Sequence, residues 1–106
     1  MAVPGSRIGK KKKNEDFYNA ILLLKNETEC YDFFCDVCTP VELRAMEQRF
    51  EVARLLNAGM VYSEILEQTG ASSATISRVG RSINKGYRRV FARMEEGKNA
   101  PEKEKE

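Results

Sequence analysis

The stretch Tyr62-Ser-Glu-Ile-Leu-Glu-Gln-Thr-Gly-Ala-Ser-Ser-Ala-Thr-Ile-Ser-Arg-Val-Gly-Arg-Ser-Ile-Asn84 decides the fold. Ile65 and Thr69 lie one helical turn apart and give its first part an inward face. Gly70 stands where the chain must reverse, because glycine adopts positive φ without steric cost. Ser72 is a good N-cap for the residues that follow. The stretch therefore predicts two short helices around a tight turn, a helix-turn-helix over residues 62–84.

The second helix of this stretch has two different faces. Ile76, Val79 and Ile83 recur at i, i+3 and i+7 and predict one apolar stripe. The opposite face combines small side chains with arginine, which suits close approach to base edges in a major groove. The predicted base-reading residues are Ser72, Ser73, Ala74, Thr75, Ser77 and Arg78.

Charge is unevenly distributed along the 106 residues, although the net charge is only +2. Residues 1–13 carry five cations and no acid, whereas residues 14–67 carry eleven acids and four bases. No acid lies between Gln68 and Met94, a run with six cations. Such a run predicts a surface that meets phosphate, with an ordinary solvated basic face as the alternative. The predicted contacts to the DNA backbone are Lys10, Lys11, Lys12, Lys13, Arg81, Lys85, Arg88 and Arg89.

Three motifs resemble those of one family. They read Cys-Thr-Pro-x-Glu-Leu from Cys38, Ala-Met-x-Gln-Arg-x-Glu-Val-Ala from Ala45, and Gly-Ala-Ser-x-Ala-Thr-Ile-Ser-Arg from Gly70. Over about residues 16–94 the chain is similar to the tryptophan repressor superfamily, in particular to its YerC/YecD-like branch. The resemblance implies an all-α fold of about six helices and an intertwined homodimer. It also implies transcriptional repression, with one helix-turn-helix projecting from each subunit.

The remaining sequence predicts one small helical domain with charged ends. Residues 1–13 are expected to form a basic flexible arm, residues 14–96 the domain, and residues 97–106 a charged disordered tail. Further helices are predicted from Phe17 to Lys25, from a cap at Thr28 to Val37, and from Thr39-Pro40 to a stop at Gly59. The expected inward residues of the last two helices are Phe33, Phe34, Val37, Leu43, Met46, Phe50, Ala53 and Leu56.

Apolar residues in the N-terminal half exceed what one small core needs. Ala20 to Leu24 is a five-residue apolar run, and Phe33 and Phe34 are adjacent. A dimer seam is the simplest account of this surplus. Two-fold symmetry would then set the paired recognition helices about 34 Å apart, which is one turn of DNA.

Neither a catalytic nor a metal site is predicted. The chain has no histidine, the usual general base, and no glycine-rich phosphate loop or nucleophile motif. Cys30, Cys35 and Cys38 follow a C-x4-C-x2-C spacing, but a zinc or iron–sulfur site normally needs a fourth ligand. We expect these cysteines to pack as small apolar side chains. Neither a long apolar run nor a signal-peptide pattern is present, which predicts a cytoplasmic protein without a membrane partner.

The resemblance also points to a candidate effector pocket. The positions that align with the tryptophan pocket of the repressor are Thr39, Arg49, Arg78 and Ser82, and two guanidinium groups could enclose an aromatic ring. However, Val79 stands where that pocket has glycine, and the connection before Gly70 is one residue shorter. We therefore expect no cofactor and no amino-acid corepressor. A different small effector, or none, stays open, as does pairing of Arg49 with an acid of its own helix.

A helical protein–protein adaptor is the alternative to a DNA-binding regulator. Its basic face would meet an acidic partner, and it would not bind mixed-sequence duplex even at low salt. The motif and the acid-free run together favour the regulator, whose partners would be double-stranded DNA and a second copy of the chain.

Overall fold

The computed structural model describes residues 12–99, and within them it contains six α-helices and no strand. The helices are α1 (Glu15–Leu22), α2 (Glu27–Val37), α3 (Pro40–Asn57), α4 (Tyr62–Thr69), α5 (Ser73–Ser82) and α6 (Lys85–Asn99). The predicted all-α class with about six helices is confirmed. Lys10, Lys11 and the rest of the predicted arm up to residue 11 lie outside the described residues, as does the tail from residue 100. α6 continues through residues 97–99, which the sequence assigned to the charged tail.

Both helices of the unit that ends at Thr39 begin at an asparagine cap. The Asn14 side chain accepts a hydrogen bond of 3.1 Å from the N–H of Phe17, and the Asn26 side chain accepts one of 2.9 Å from the N–H of Glu29. The predicted cap of α2 at Thr28 is wrong. Two glutamates in the first turn favour the earlier start, because carboxylates stabilise the positive end of a helix.

Aromatic rings of α1 and α2 contact each other, but no side chain of either helix is fully buried. The Phe17 and Phe33 ring centroids lie 6.1 Å apart, and those of Phe33 and Phe34 lie 5.3 Å apart at 89°. Neither helix contains a buried residue. Val37, predicted to face inward, is 50% exposed, and Leu22 is 79% exposed. A single chain therefore leaves much apolar surface on this unit in water.

The unit that begins at Pro40 has a contiguous apolar core. α3 packs against α4 and α5, which also pack against each other. The buried side chains are Val52, Ala53, Leu55, Ile65, Ala71, Ile76, Val79 and Phe91. Three helices and the helix-turn-helix turn thus contribute to the core, together with Phe91 of α6.

The buried face of α3 differs from the predicted stripe. Ala53 is buried as expected, but Val52 and Leu55 are buried beside it, whereas Leu56 is half-buried and Met46 is 39% exposed. α3 meets both α4 and α5, so its inward face is wider than one stripe and rotated from the predicted one.

The predicted stop at Gly59 is confirmed. α3 ends at Asn57, and Gly59 adopts a φ of +91°. The N–H of Met60 donates to the carbonyl of Leu55 at 3.1 Å, and the N–H of Gly59 donates to that of Leu56 at 3.0 Å. This pair of bonds is the Schellman arrangement, which turns the chain sharply towards α4.

Candidate nucleic-acid interface

The turn between α4 and α5 is closed by hydrogen bonds from both sides. Gly70 adopts a φ of +75°, and its N–H donates to the carbonyl of Leu66 at 2.9 Å. The Thr69 hydroxyl donates to the carbonyl of Ile65 at 2.7 Å and accepts from the N–H of Ala71 at 3.1 Å. The predicted glycine turn is confirmed. The N–H groups of Gly70 and Ala71 are thus satisfied within the turn.

A contact from α3, which the sequence did not predict, also holds this turn. The Gln48 side-chain amide donates to the carbonyl of Thr69 at 3.1 Å. This carbonyl is one of the last in α4 and has no partner within its own helix. A signal for Gln48 does exist in the sequence: it lies four residues before Val52 and seven before Leu55, so it is a polar residue on the apolar face of α3.

The first turn of α5 is capped as predicted. The Ser72 hydroxyl accepts from the N–H of Thr75 at 3.1 Å and donates to the Thr75 hydroxyl, also at 3.1 Å. Behind this cap, Ile76 and Val79 are buried, and Ile83 packs against the core. The predicted apolar stripe of α5 is confirmed. Ser72 and Thr75, two of the predicted base-reading residues, thus use their hydroxyls in the cap.

The outward face of α5 brings the other four predicted base-reading residues together with Arg81, a predicted backbone contact. At 100° per residue, five side chains fall within about 140° of the helix circumference, opposite the buried stripe. They are Ser73, Ala74, Ser77, Arg78 and Arg81. All are exposed except Ser77, which is half-buried. The N-terminal turn of this face is narrow and uncharged, and both cations follow one turn later.

The cations of α5 and α6 form no ion pair with another residue of the described range 12–99. Arg81, Lys85, Arg88 and Arg89 are exposed, and so are Lys12 and Lys13 near the start of the described chain. Within residues 12–99 the ion pair that the structure shows joins Arg54 to Glu51, both on α3. The hydrogen bond from Arg54 lowers the pKa of Glu51, and the same contact raises the pKa of Arg54. Of the predicted phosphate contacts, those that lie in the described chain are thus exposed to solvent.

The candidate effector residues are divided between the two units. Thr39 ends the first unit, whereas Arg49, Arg78 and Ser82 belong to the second, where all three are exposed. The Ser82 hydroxyl donates to the backbone carbonyl of Arg78 at 3.0 Å. Arg49 forms no ion pair with an acid of α3 in the described chain. Val79 is 3% exposed, so its isopropyl group belongs to the core.

The cysteines lie in the first unit, at α2 and its C-cap. Cys30 and Cys35 are exposed and Cys38 is half-buried, so the expected burial is wrong for the first two within one chain. Among residues 12–99, no three His, Cys, Asp or Glu side chains are placed to hold a metal ion. None of the helices in that range is long and apolar enough to cross a bilayer.

Known proteins of one family are similar to this chain. The family model described as "Trp repressor protein" matches residues 12–96. A Bacillus subtilis (strain 168) relative, called uncharacterized protein YerC, is 47% identical over 88 residues, which are 80% of this chain and 85% of the relative. The crystal structure of a TrpR-like protein from Eubacterium eligens ATCC 27750 has a TM-score of 0.72 and 54% identity, over 76% of this chain and 86% of that one. A Staphylococcus aureus crystal structure, provisionally described as a Trp repressor, has a TM-score of 0.73 and 43% identity, over 76% and 84% of the two chains.

Proposed function

Because the chain belongs to the Trp repressor family, we propose that it is a sequence-specific transcriptional regulator that represses by binding duplex DNA. One observation carries this proposal. The outward face of α5 has small side chains in its first turn and two exposed arginines one turn later, and no acid lies between Gln68 and Met94. A narrow helix end with adjacent cations suits a major groove.

The proposal gives the residues of α5 distinct tasks. Ser73 and Ala74 lie at the exposed helix start, where a recognition helix approaches base edges most closely. Ser77 and Thr75 flank them, and Arg78 can pair with a guanine through two hydrogen bonds. Phosphates are held by Arg81 and by the α6 cations Lys85, Arg88 and Arg89.

The regulator acts as a homodimer. The exposure of the N-terminal unit supports a homodimer. Its helices α1 and α2 contain no buried residue, and Leu22 and Leu23 are 79% and 75% exposed. Exposed apolar side chains of this kind are stabilised when another chain covers them. A two-fold axis would place two copies of α5 about 34 Å apart, so that they enter successive turns of one groove and read a palindrome.

Tryptophan is not the corepressor in this proposal. Val79 fills the core at the α5 position where the family's ligand pocket has a glycine. A ring placed between Arg49 and Arg78 would need the space next to that position. Operator binding is therefore expected to be the same with and without tryptophan.

Selection of genomic DNA fragments by the purified protein, with and without tryptophan, tests the proposal and yields an operator. On that operator, Arg81→Ala should weaken binding to every sequence and reduce the slope of log affinity against log salt by about 0.9 per subunit, the value for one phosphate. Ser73→Ala and Thr75→Val should instead change which sequences are preferred.

Lys25→Ala is the matched control, because Lys25 is an exposed cation in the acid-rich part of the chain. It should leave both affinity and preference unchanged. Equal effects at Arg81 and Ser73 on a gel-shift salt titration would reject the division of tasks. No binding to mixed duplex at low salt would identify the chain as a protein–protein adaptor instead.

A further inference from the structure

Four of the five cations of α6 lie on a single face of that helix. Lys85, Arg88, Arg89 and Arg93 are all exposed. At 100° per residue they fall within about 140° of the helix circumference. Three of them, Lys85, Arg89 and Arg93, follow each other at intervals of four residues and make a row about 12 Å long. We call these four residues the α6 cationic face.

The opposite face of α6 is fixed in the core by aromatic packing. The Tyr87 and Phe91 rings stack with centroids 5.5 Å apart, and the Phe50 ring of α3 lies 5.9 Å from that of Phe91. Phe91 is buried. Any rotation of α6 that turned the cations inward would expose these rings, so the α6 cationic face is held towards the solvent. The same packing keeps Phe91 from entering a lipid surface.

The α6 cationic face is electrostatically costly in the isolated chain. Like charges four residues apart repel each other on a helix, and the row contains two such pairs. The nearest acids along the chain are Glu95 and Glu96, and Glu96 lies on the same side of the helix one turn after Arg93. No ion pair to the face appears within residues 12–99. A ligand with regularly spaced negative charges would relieve this repulsion.

The α6 cationic face follows the candidate interface closely along the chain. Only Ile83 and Asn84 separate the two helices, and Arg81 and Lys85 stand four residues apart across them. Ile83 packs against the core, so the joint itself is anchored. Between Gln68 and Met94 the cations therefore follow one another along the chain, first on α5 and then on α6, with no acid between them.

We propose that the α6 cationic face binds phosphates of duplex DNA that flank the bases read by α5. This inference rests on the proposed function, and it assigns Arg93 as an additional phosphate contact. The contact is independent of sequence, because a row of cations without small polar neighbours presents charge but no pattern of donors and acceptors for base edges. The bound site is consequently longer than the operator that sets specificity.

Two duplexes test the proposal: the shortest operator fragment that the protein retains, and the same fragment with ten mixed-sequence base pairs added at each end. The variant is Arg93→Gln, because Arg93 is the residue of the face that the proposed function does not already place on a phosphate, and glutamine keeps the helix propensity of arginine. The matched control removes one exposed charge elsewhere: Lys25→Gln. Circular dichroism verifies that all variants keep their helix content.

The wild type and the control should bind the extended duplex more tightly than the short one. Their slope of log affinity against log salt should also be steeper on it, by about 0.9 per subunit, the value for one phosphate. The variant should bind the short duplex like the wild type and gain nothing from the extension. A variant that gains as much as the wild type, or that loses equally on both duplexes, overturns the inference. A wild type that binds neither duplex rejects the proposed function itself, which is a distinct result.

Discussion

The two units of the chain differ in how far their apolar side chains are buried. Between Glu15 and Val37 no side chain is buried, although this segment contains the longest apolar run and three phenylalanines. Beyond Pro40, three helices and a turn enclose a core in which Val52, Ile65 and Ile76 are completely inaccessible. The C-terminal unit therefore positions the recognition helix with contacts from its own chain, whereas the N-terminal unit is suited to contacts with a second chain.

The largest expected effect concerns the core beneath the recognition helix. Ile76→Ala should lower the free energy of unfolding by roughly 2–5 kcal/mol, because it removes a completely buried side chain and leaves a cavity. Urea denaturation followed by circular dichroism measures the loss. Leu66→Ala, in α4, serves as a control because that side chain is 44% exposed. A loss for Ile76→Ala no larger than that of the control would contradict the described core.

The second expected effect concerns the apolar surface of the N-terminal unit. Leu22→Ser combined with Leu23→Ser should weaken self-association by roughly a hundredfold or more, since burial of one leucine contributes about 1.5–3 kcal/mol and 1.4 kcal/mol is a tenfold change. Sedimentation equilibrium measures this directly. Val61→Ser changes a comparably exposed apolar residue of the C-terminal unit and should have no effect. Unchanged association of the double variant would show that α1 does not form the dimer contact.

The third and smallest expected effect is a difference in stability between variants of two adjacent serines, Ser72 and Ser73. Ser72→Ala removes the cap of α5 and should cost about 0.5–2 kcal/mol, seen as a lower Tm. Ser73→Ala changes an exposed hydroxyl with no described partner and should stay within about 0.5 kcal/mol. Equal shifts in Tm for the two variants would mean that the Ser72 hydroxyl does not cap the helix.

Local features of the candidate site could be predicted from the sequence, because each depends on a few adjacent residues. Gly70 in the turn, Ser72 as the cap and the buried Ile76 and Val79 are of this kind. Gln48 was missed because its partner, the carbonyl of Thr69, is distant in the sequence and meets it only once α3 and α4 have packed.

The burial pattern of the other helices was harder to predict. The inward face of α3 depends on the packing of both α4 and α5, so Val52 and Leu55 were not expected in the core. Asn26 and Thr28 are both good caps, and periodicity does not choose between them. The exposure of Cys30 and Cys35 follows from α2 having no fully buried face within one chain, a property of packing rather than of local sequence.

Methylation protection of guanine N7 by dimethyl sulfate tests the central claim most directly, because that atom lies in the major groove. On the selected operator, two protected patches should appear, centred 10–10.5 base pairs apart, as expected for paired α5 helices. Arg78→Ala should remove protection at one guanine in each patch. Protection confined to a single patch, or binding without any protection in the major groove, would contradict the account of α5 as a paired recognition helix.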